Sequence, residues 1–261
     1  MKKFLINLIN EAGNILREAF YTKNSLVNHK GNIDLVTDTD LKLENFITSQ
    51  IKKRYPDDLI IAEEKYSLIK NAKRIWIIDP LDGTTNFVHR FPFVNISIAL
   101  EIDNEIRFGA VYNPIFNELF FAEKHHGAFL NGSKITVSNN NEISNCIVAT
   151  GFPYDRWEKG DYYIKEFLAF TKTTQGVRRT GSAAIDLCYV AAGRFDGFFE
   201  RKLKPWDMAA GSLIVSEAGG KITKFNGNSW HYTNDTIIAS NGRIHNKMVN
   251  ILANAHKGNI K

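Results

Sequence analysis

Cysteine is scarce. Cys146 and Cys188 are the only two among 261 residues, too few for the disulfide framework of a small secreted domain. Both lie in apolar segments, which predicts buried thiols in a reducing compartment, the cytoplasm. No stretch approaches the roughly 18 to 20 apolar residues that cross a membrane, so no membrane association is expected. The opening MKKFLINLINEAGNILREAF sets two lysines before an apolar run, as an export signal does, but Asn7, Asn10, Glu11 and Asn14 interrupt it. Phe4, Leu5, Leu8, Ile9, Ala12, Ile15, Leu16 and Ala19 recur at helical spacing and describe one face of an amphipathic helix. Prolines number six, and no Pro- or Ser-rich linker, low-complexity run or internal repeat divides the chain. One unit over residues 1–261 is therefore expected. A basic tract is missing too. The net charge is +5, yet Lys52–Lys53–Arg54, Arg178–Arg179 and Arg201–Lys202 are scattered, which favours solvated faces over a nucleic-acid footprint.

What is present is an ordinary globular composition, 44% hydrophobic and 23% charged, able to bury a sizeable core. Helices are predicted over 3–20 and about 39–54, the second opened by Thr37 or Asp38 as a cap and closed before Pro56. LIIAEE (59–64) and RIWIID (74–79) read as short buried strands ending in acids. From Asn95, the segments NISIALEI, EIRFGAVY and ELFFAEK, joined by turn residues, predict an antiparallel meander. After Cys146, helices over 160–172, 182–193, from Pro205 to Gly219–Gly220 and near 243–255 alternate with the strands CIVATG, FDGFFE, KITKF and TIIAS. Such an order predicts an α+β fold with helices layered on more than one sheet.

The stretch WIIDPLDGTTNFVHRFPF (76–93) carries the chemistry. Asp79 ends an apolar strand, Pro80 stops a helix from starting there, Asp82 and Gly83 make a tight turn, and Thr84 and Thr85 open a helical segment. The turn can aim both carboxylates at one point and leave the amides of Gly83, Thr84 and Thr85 free for a phosphate group. Carboxylates repel a phosphate unless a hard cation lies between them, and oxygen-only ligation points to Mg²⁺ rather than zinc. A lone D-P-x-D-G is more often a capped turn. Here Glu63 and Glu64 end another apolar strand, Asp34, Asp38 and Asp40 lie where a helix begins, and Asp207 sits in the first turn of the Pro205 helix. Ligands from distant parts of the chain can converge at such termini.

WIIDPLDGTTNFVHRFPF and PWDMAAGSLIVSEAGG resemble the two signatures of the inositol monophosphatase family. DLVTDTD, AEE, GSAAIDLCYVAAGRFDGFFE and IIASN follow in that family's order, so the resemblance spans about residues 3–255. It implies an αβαβα sandwich of the sugar-phosphatase type, with an antiparallel-sheet part over about 1–140 and a smaller α/β part over about 141–261. It also implies a homodimer and lithium-sensitive, Mg²⁺-dependent hydrolysis of a phosphate monoester, inositol 1-phosphate first, by metal-activated water. Carried over, Glu63, Asp79 and the carbonyl of Leu81 hold the first metal, Asp79, Asp82 and Asp207 the second, and Glu63 helps with a third. Thr84, paired with Asp40, orients and deprotonates the water. The amides of Gly83 and Thr84, with Thr85 next to them, bind phosphate; Ala183, Glu200 and Asp207 line the alcohol side.

Two positions depart from the family pattern. Ala62 stands where glycine is usual, and Lys204 stands where His or Arg is usual, facing the substrate side by carry-over and favouring a more anionic substrate. The same chemistry on histidinol phosphate, fructose 1,6-bisphosphate, NADP or 3′-phosphoadenosine nucleotides is the near alternative. A regulatory protein that binds RNA polymerase or another partner is the distant one, supported by the basic pairs alone. His89, His125 and His126 read as bystanders, Phe87, Phe91 and Phe93 as core, and Glu64 as either a support for the site or a surface neighbour.

Overall fold

The computed structural model describes residues 1–22, 27–29, 35–64 and 72–257. In chain order, α1 is Lys2–Tyr21, β1 Val27–His29, β2 Leu35–Thr37, α2 Asp38–Arg54, β3 Leu59–Ala62, β4 Arg74–Asp82 and α3 Thr84–Val88. Five strands follow: β5 Asn95–Ile102, β6 Glu105–Asn113, β7 Glu118–Glu123, β8 Gly127–Leu130 and β9 Ser133–Ile135. The remainder is β10 Ile147–Thr150, α4 Arg156–Thr171, β11 Gly176–Arg178, α5 Ala183–Ala191, β12 Gly197–Arg201, α6 Pro205–Glu217, β13 Lys221–Thr223, β14 Thr236–Ser240 and α7 His245–Asn254.

These elements stack as five layers. The apolar stripe predicted for the first helix is buried: Leu5, Leu8, Ile9, Ala12, Leu16 and Phe20 of α1 join α2 against the outer face of a seven-stranded sheet, β3-β4-β5-β6-β7-β8-β9. In that sheet β3 pairs parallel to β4 and the other pairings are antiparallel, so the meander expected from Asn95 is present and extends further on both sides. Helices α5 and α6, buried over most of their length and predominantly apolar, fill the middle layer, as suits an element covered on both faces. Beyond them lies the five-stranded sheet β11-β10-β12-β14-β13, covered on its far face by α4 and α7. Gly109 shows how close the middle layer comes, since a Cβ there would sit 2.8 Å from the Ala210 carbonyl oxygen of α6. Among the described residues no helix is long and apolar enough to cross a membrane.

Both cysteines are free and buried, as expected, and burial pushes the Cys146 thiol up to about 12. Other expectations need correction. The helix placed at 160–172 begins at Arg156, with an irregular residue, Lys159, interrupting its first turns. Phe87 is core, but Phe91 is 46% exposed and stacks on Phe93 at 5.2 Å, because the turn after α3 carries it outward. Of the Arg201–Lys202 pair, Lys202 is exposed as expected and pairs with Asp155, whereas Arg201 is half-buried and grips the buried Glu166 at 2.6 Å.

One buried group sets an acid limit on the fold. His245 accepts or donates through both ring nitrogens, to Thr223 Oγ1 and Ser240 Oγ, each at 2.8 Å. Burial, with Lys221 adding to it, lowers its pKa from 6.5 to about 4. The unfolded chain therefore takes up this proton first. The stabilisation is full above pH 6.5 and is lost as the pH falls toward 4; a shift of this size amounts to about 3 kcal/mol. Urea midpoints measured from pH 7 to 4.5 should fall by that contribution in the wild type and by less in His245→Gln. Equal slopes in the two proteins would show that the imidazole is not responsible.

Candidate active site

The two aspartates of WIIDPLDG meet because of a bulge. In a regular strand, residues three apart point to opposite faces. The strand does not end at Asp79 as expected; β4 continues to Asp82, with Asp79 opposite Ser97 and Asp82 opposite Asn95. Pro80 and Leu81 thus face a single residue, Ile96, and the extra residue re-phases the strand. Proline is tolerated at such a point because no ladder N–H is needed there. Both carboxylates now belong to one face. Gly83 closes the turn at φ +93, and a Cβ on it would lie 2.7 Å from the Phe93 carbonyl oxygen. Glycine is required there for both reasons.

Asp79 is 2% exposed and its Oδ1 accepts the Leu81 N–H at 3.0 Å. Burial first, then the charges of Glu63, Asp82, Asp207 and Asp40, raise its pKa well above the carboxylate range. Asp82 lies across the N-terminus of α5, where Oδ2 accepts from Ser182 Oγ at 2.8 Å, Ala184 N at 2.9 Å and Asn95 Nδ2 at 3.1 Å. Burial still raises its pKa, against these bonds. Asp207 arrives from the first turn of α6, and its Oδ2 accepts the Lys204 N–H at 2.6 Å. Its pKa is raised by burial, then by Asp82, with Glu63 and Glu200 adding. Glu63 follows directly on β3, whose Ala62 is registered with Ile78, so it comes alongside Asp79. Four acids from three distant segments are thus within electrostatic reach of one another.

Thr84, first in α3, donates to Asp40 Oδ1 at 3.1 Å and to the Leu81 carbonyl at 3.2 Å. Asp40 is held by the cap of α2: Thr37 N and Oγ1 donate to its Oδ2 at 2.8 and 2.5 Å. Burial raises its pKa, and the charge of Glu64 adds to that. The Glu64 N–H in turn binds Glu44 Oε2 at 2.8 Å, which ties the end of β3 to α2. The amides of Gly83, Thr84 and Thr85 open α3, where no carbonyl of the helix can accept them; the Thr85 side chain is exposed. Ala183 is buried at the start of α5. Glu200 lies at the end of β12, folded over Gly151, and burial, with Asp186 adding, pushes it up to about 8. The side chain of Lys204 is exposed at the N-cap of α6. Asp38 is exposed, as are His89, His125 and His126, while Asp34 lies outside the described residues.

The residues that grip this cluster had no local signal. Asn95 and Ser182 are joined by a 2.7 Å hydrogen bond and both donate to Asp82 from positions far along the chain. Asn86 donates to the Phe93 and Thr180 carbonyls at 2.8 and 2.9 Å and pins α3 beside α5. Asp186, buried in α5 and hydrogen-bonded to Thr180 at 2.8 Å, was not among the acids singled out in the sequence.

Among the described residues no three acids are already gathered closely enough to close around an ion. The donor set nevertheless fits one. It is made of oxygens alone, it is desolvated, and its members raise one another's pKa, so a hard divalent cation would relieve both burial and repulsion.

The family model described as the inositol monophosphatase family matches residues 1–257. Among curated proteins, the chain is 46% identical over 221 residues to the inositol-1-monophosphatase of Synechocystis sp., covering 84% of this chain and 77% of that one. It is 41% identical over 245 residues to the Nus factor SuhB of Vibrio cholerae, covering 93% and 92%. Among solved structures, the extragenic suppressor protein suhB of Bartonella henselae superposes with a TM-score of 0.91 at 40% identity, over 96% of this chain and 97% of that one.

Proposed function

The chain belongs to the inositol monophosphatase family, and from that premise we propose that it is a Mg²⁺-dependent phosphatase of small phosphate monoesters, acting as one catalytic unit. Inositol 1-phosphate is the first substrate to test. The observation that carries the reading is the meeting of Asp79, Asp82, Asp207 and Glu63 beside the Thr84–Asp40 pair. Glu63, Asp79 and the Leu81 carbonyl would hold one Mg²⁺, Asp79, Asp82 and Asp207 a second, and Glu63 would contribute to a third. When bound, these ions supply positive charge against the phosphoryl oxygens and a more acidic water.

The protein's own groups do the rest. Thr84 Oγ1, already donating to Asp40 Oδ1, keeps a lone pair for the attacking water; as it takes the water's proton, its own passes to Asp40. Burial makes that carboxylate a stronger base than a free one. Gly83 and Thr84 amides, with Thr85 behind them, donate to the phosphate oxygens. Ala183 provides an apolar floor for the alcohol, Glu200 and Asp207 accept from its hydroxyls, and Lys204 offers a cation at the rim. In the same reading the protein is a cytoplasmic homodimer.

A second reading has one observation behind it: relatives such as the Vibrio cholerae protein are named Nus factors. In that reading the chain is a regulatory protein of the transcription machinery with an incidental phosphatase site. A panel of phosphate esters, assayed for kcat/KM with Mg²⁺, with and without Li⁺, tests the first reading. Turnover of inositol 1-phosphate that needs Mg²⁺ and is blocked by Li⁺ is expected. No hydrolysis of any ester at saturating Mg²⁺ would leave the second.

A further inference from the structure

The two oxygens of the Asp82 carboxylate are held unequally. It accepts hydrogen bonds from Ser182 Oγ at 2.8 Å, Ala184 N at 2.9 Å and Asn95 Nδ2 at 3.1 Å, and all three end on Oδ2. The neighbouring Ala183 amide adds to the hold on this carboxylate. An oxygen with three donors has no lone pair left for an ion. Two of the donors are themselves joined, since Asn95 Nδ2 also donates to Ser182 Oγ at 2.7 Å. Both amide hydrogens of Asn95 are thereby used, one on Asp82 and one on the hydroxyl whose own hydrogen points to the same oxygen.

Asn95 stands where this arrangement is built. It is the first residue of β5, directly opposite Asp82 once the bulge has re-phased β4. From there its side chain reaches the N-cap of α5, which is Ser182. Asn95 is fully buried and follows Val94 and precedes Ile96, both core residues. Its Oδ1 is buried as well and, among the described residues, accepts no hydrogen bond. A buried amide oxygen without a donor destabilises the fold, so an apolar side chain would serve packing better here. What asparagine contributes at this position is its pair of N–H donors. Two residues further along the same face of β5, Ser97 donates to the Trp206 carbonyl at 3.2 Å, beside Asp207. The strand thus ties the starts of both α5 and α6 to the larger sheet.

We propose that Asn95, with Ser182, is a positioning residue for Asp82: it occupies Oδ2 and leaves Oδ1, so that Asp82 acts as a one-oxygen ligand and the site prefers Mg²⁺ to Ca²⁺. The preference follows from the size and geometry of the two ions. Mg²⁺ demands a near-ideal octahedron, whereas the larger Ca²⁺ accepts roughly six to eight oxygens and takes a carboxylate through one oxygen or both. A carboxylate pinned at one oxygen serves the first arrangement but cannot turn to give both atoms to the second. This rests on the phosphatase reading above and assigns its cation preference to a residue outside the ligand set.

Calorimetric titration of the metal-stripped protein with MgCl₂ and with CaCl₂ tests this without turnover. In Asn95→Ala one step of Mg²⁺ binding should weaken by about 10- to 100-fold, the usual loss when the partner behind a metal ligand is removed. Ca²⁺ binding should weaken less, because the freed carboxylate can offer both oxygens, so the Mg²⁺-to-Ca²⁺ affinity ratio falls. Asn95→Leu restores the lost volume but no donor, and should behave like Asn95→Ala. The Mg²⁺ needed for half-maximal hydrolysis of inositol 1-phosphate should rise in both. If Asn95→Ala loses its cooperative thermal melt, Asn95→Leu and Ser182→Ala carry the comparison, each with a lowered ratio expected. Recovery of Mg²⁺ affinity in Asn95→Leu would assign the effect to packing and overturn the inference. So would an unchanged ratio in the variants of a protein that binds Mg²⁺ and hydrolyses the ester, a result that leaves the phosphatase reading intact. A wild type that takes up neither cation overturns both.

Discussion

Asp82→Asn is expected to lower kcat/KM on the best monoester by at least about a thousandfold, or ~4 kcal/mol of transition-state stabilisation, while the fold survives. Both halves follow from where the carboxylate lies. Oδ2 takes three donors, from Ser182, Ala184 and Asn95, and the amide oxygen of asparagine can accept from the same groups. What disappears is the charge. Asp82 is the largest charged contributor to the raised pKa of Asp207 and one contributor to that of Asp79, so neutralising it relieves repulsion in the protein without cation. Thermal melts in chelator should therefore show a midpoint equal to or above that of the wild type. With Mg²⁺ the order should reverse, since one ligand of the proposed second ion has been weakened. A variant that hydrolyses inositol 1-phosphate within tenfold of the wild-type rate at saturating Mg²⁺ would remove Asp82 from the site.

The second large effect belongs to Thr84. Replacing it with alanine deletes the hydroxyl between Asp40 and the place proposed for the attacking water, and the expected loss is about 10²- to 10³-fold in kcat with KM little changed. Serine keeps the hydroxyl and the start of α3, and should recover most of the rate. The stability cost of either change is small, on the order of 1 kcal/mol for one hydrogen bond to Asp40. Comparison of Thr84→Ala with Thr84→Ser by steady-state kinetics and urea denaturation separates the two roles. Equal losses in both variants would mean that the methyl packing, and not proton transfer, is what matters.

Much of the architecture was readable because it is local. The stripe of α1, Thr37 as a cap of α2, Pro205 at the head of α6 and the alternating strands of the meander all arise from spacing within one element. The acids were readable for a related reason: a charge at the end of an apolar strand or in the first turn of a helix has to be explained whatever lies opposite. The bulge was not readable. Pro80 pointed to a turn, but whether Asp79 and Asp82 share a face depended on how β5 paired with β4. Phe91, read as core, is exposed for the same kind of reason, since hydrophobicity states a preference and packing decides who is covered.

Order along the chain was enough to establish an α+β fold with helices layered on more than one sheet and the kind of ligand atoms, because element type and residue chemistry are carried by neighbours a few positions apart. The five-layer sandwich and the Thr84–Asp40 candidate came with the family resemblance. Only the folded chain could set the phase of the carboxylates and the grip of Ser182 and Asn95 on Asp82. Those depend on strand register and on contacts between residues up to a hundred positions apart, and no short-range pattern encodes a distance that closes only when separate layers pack.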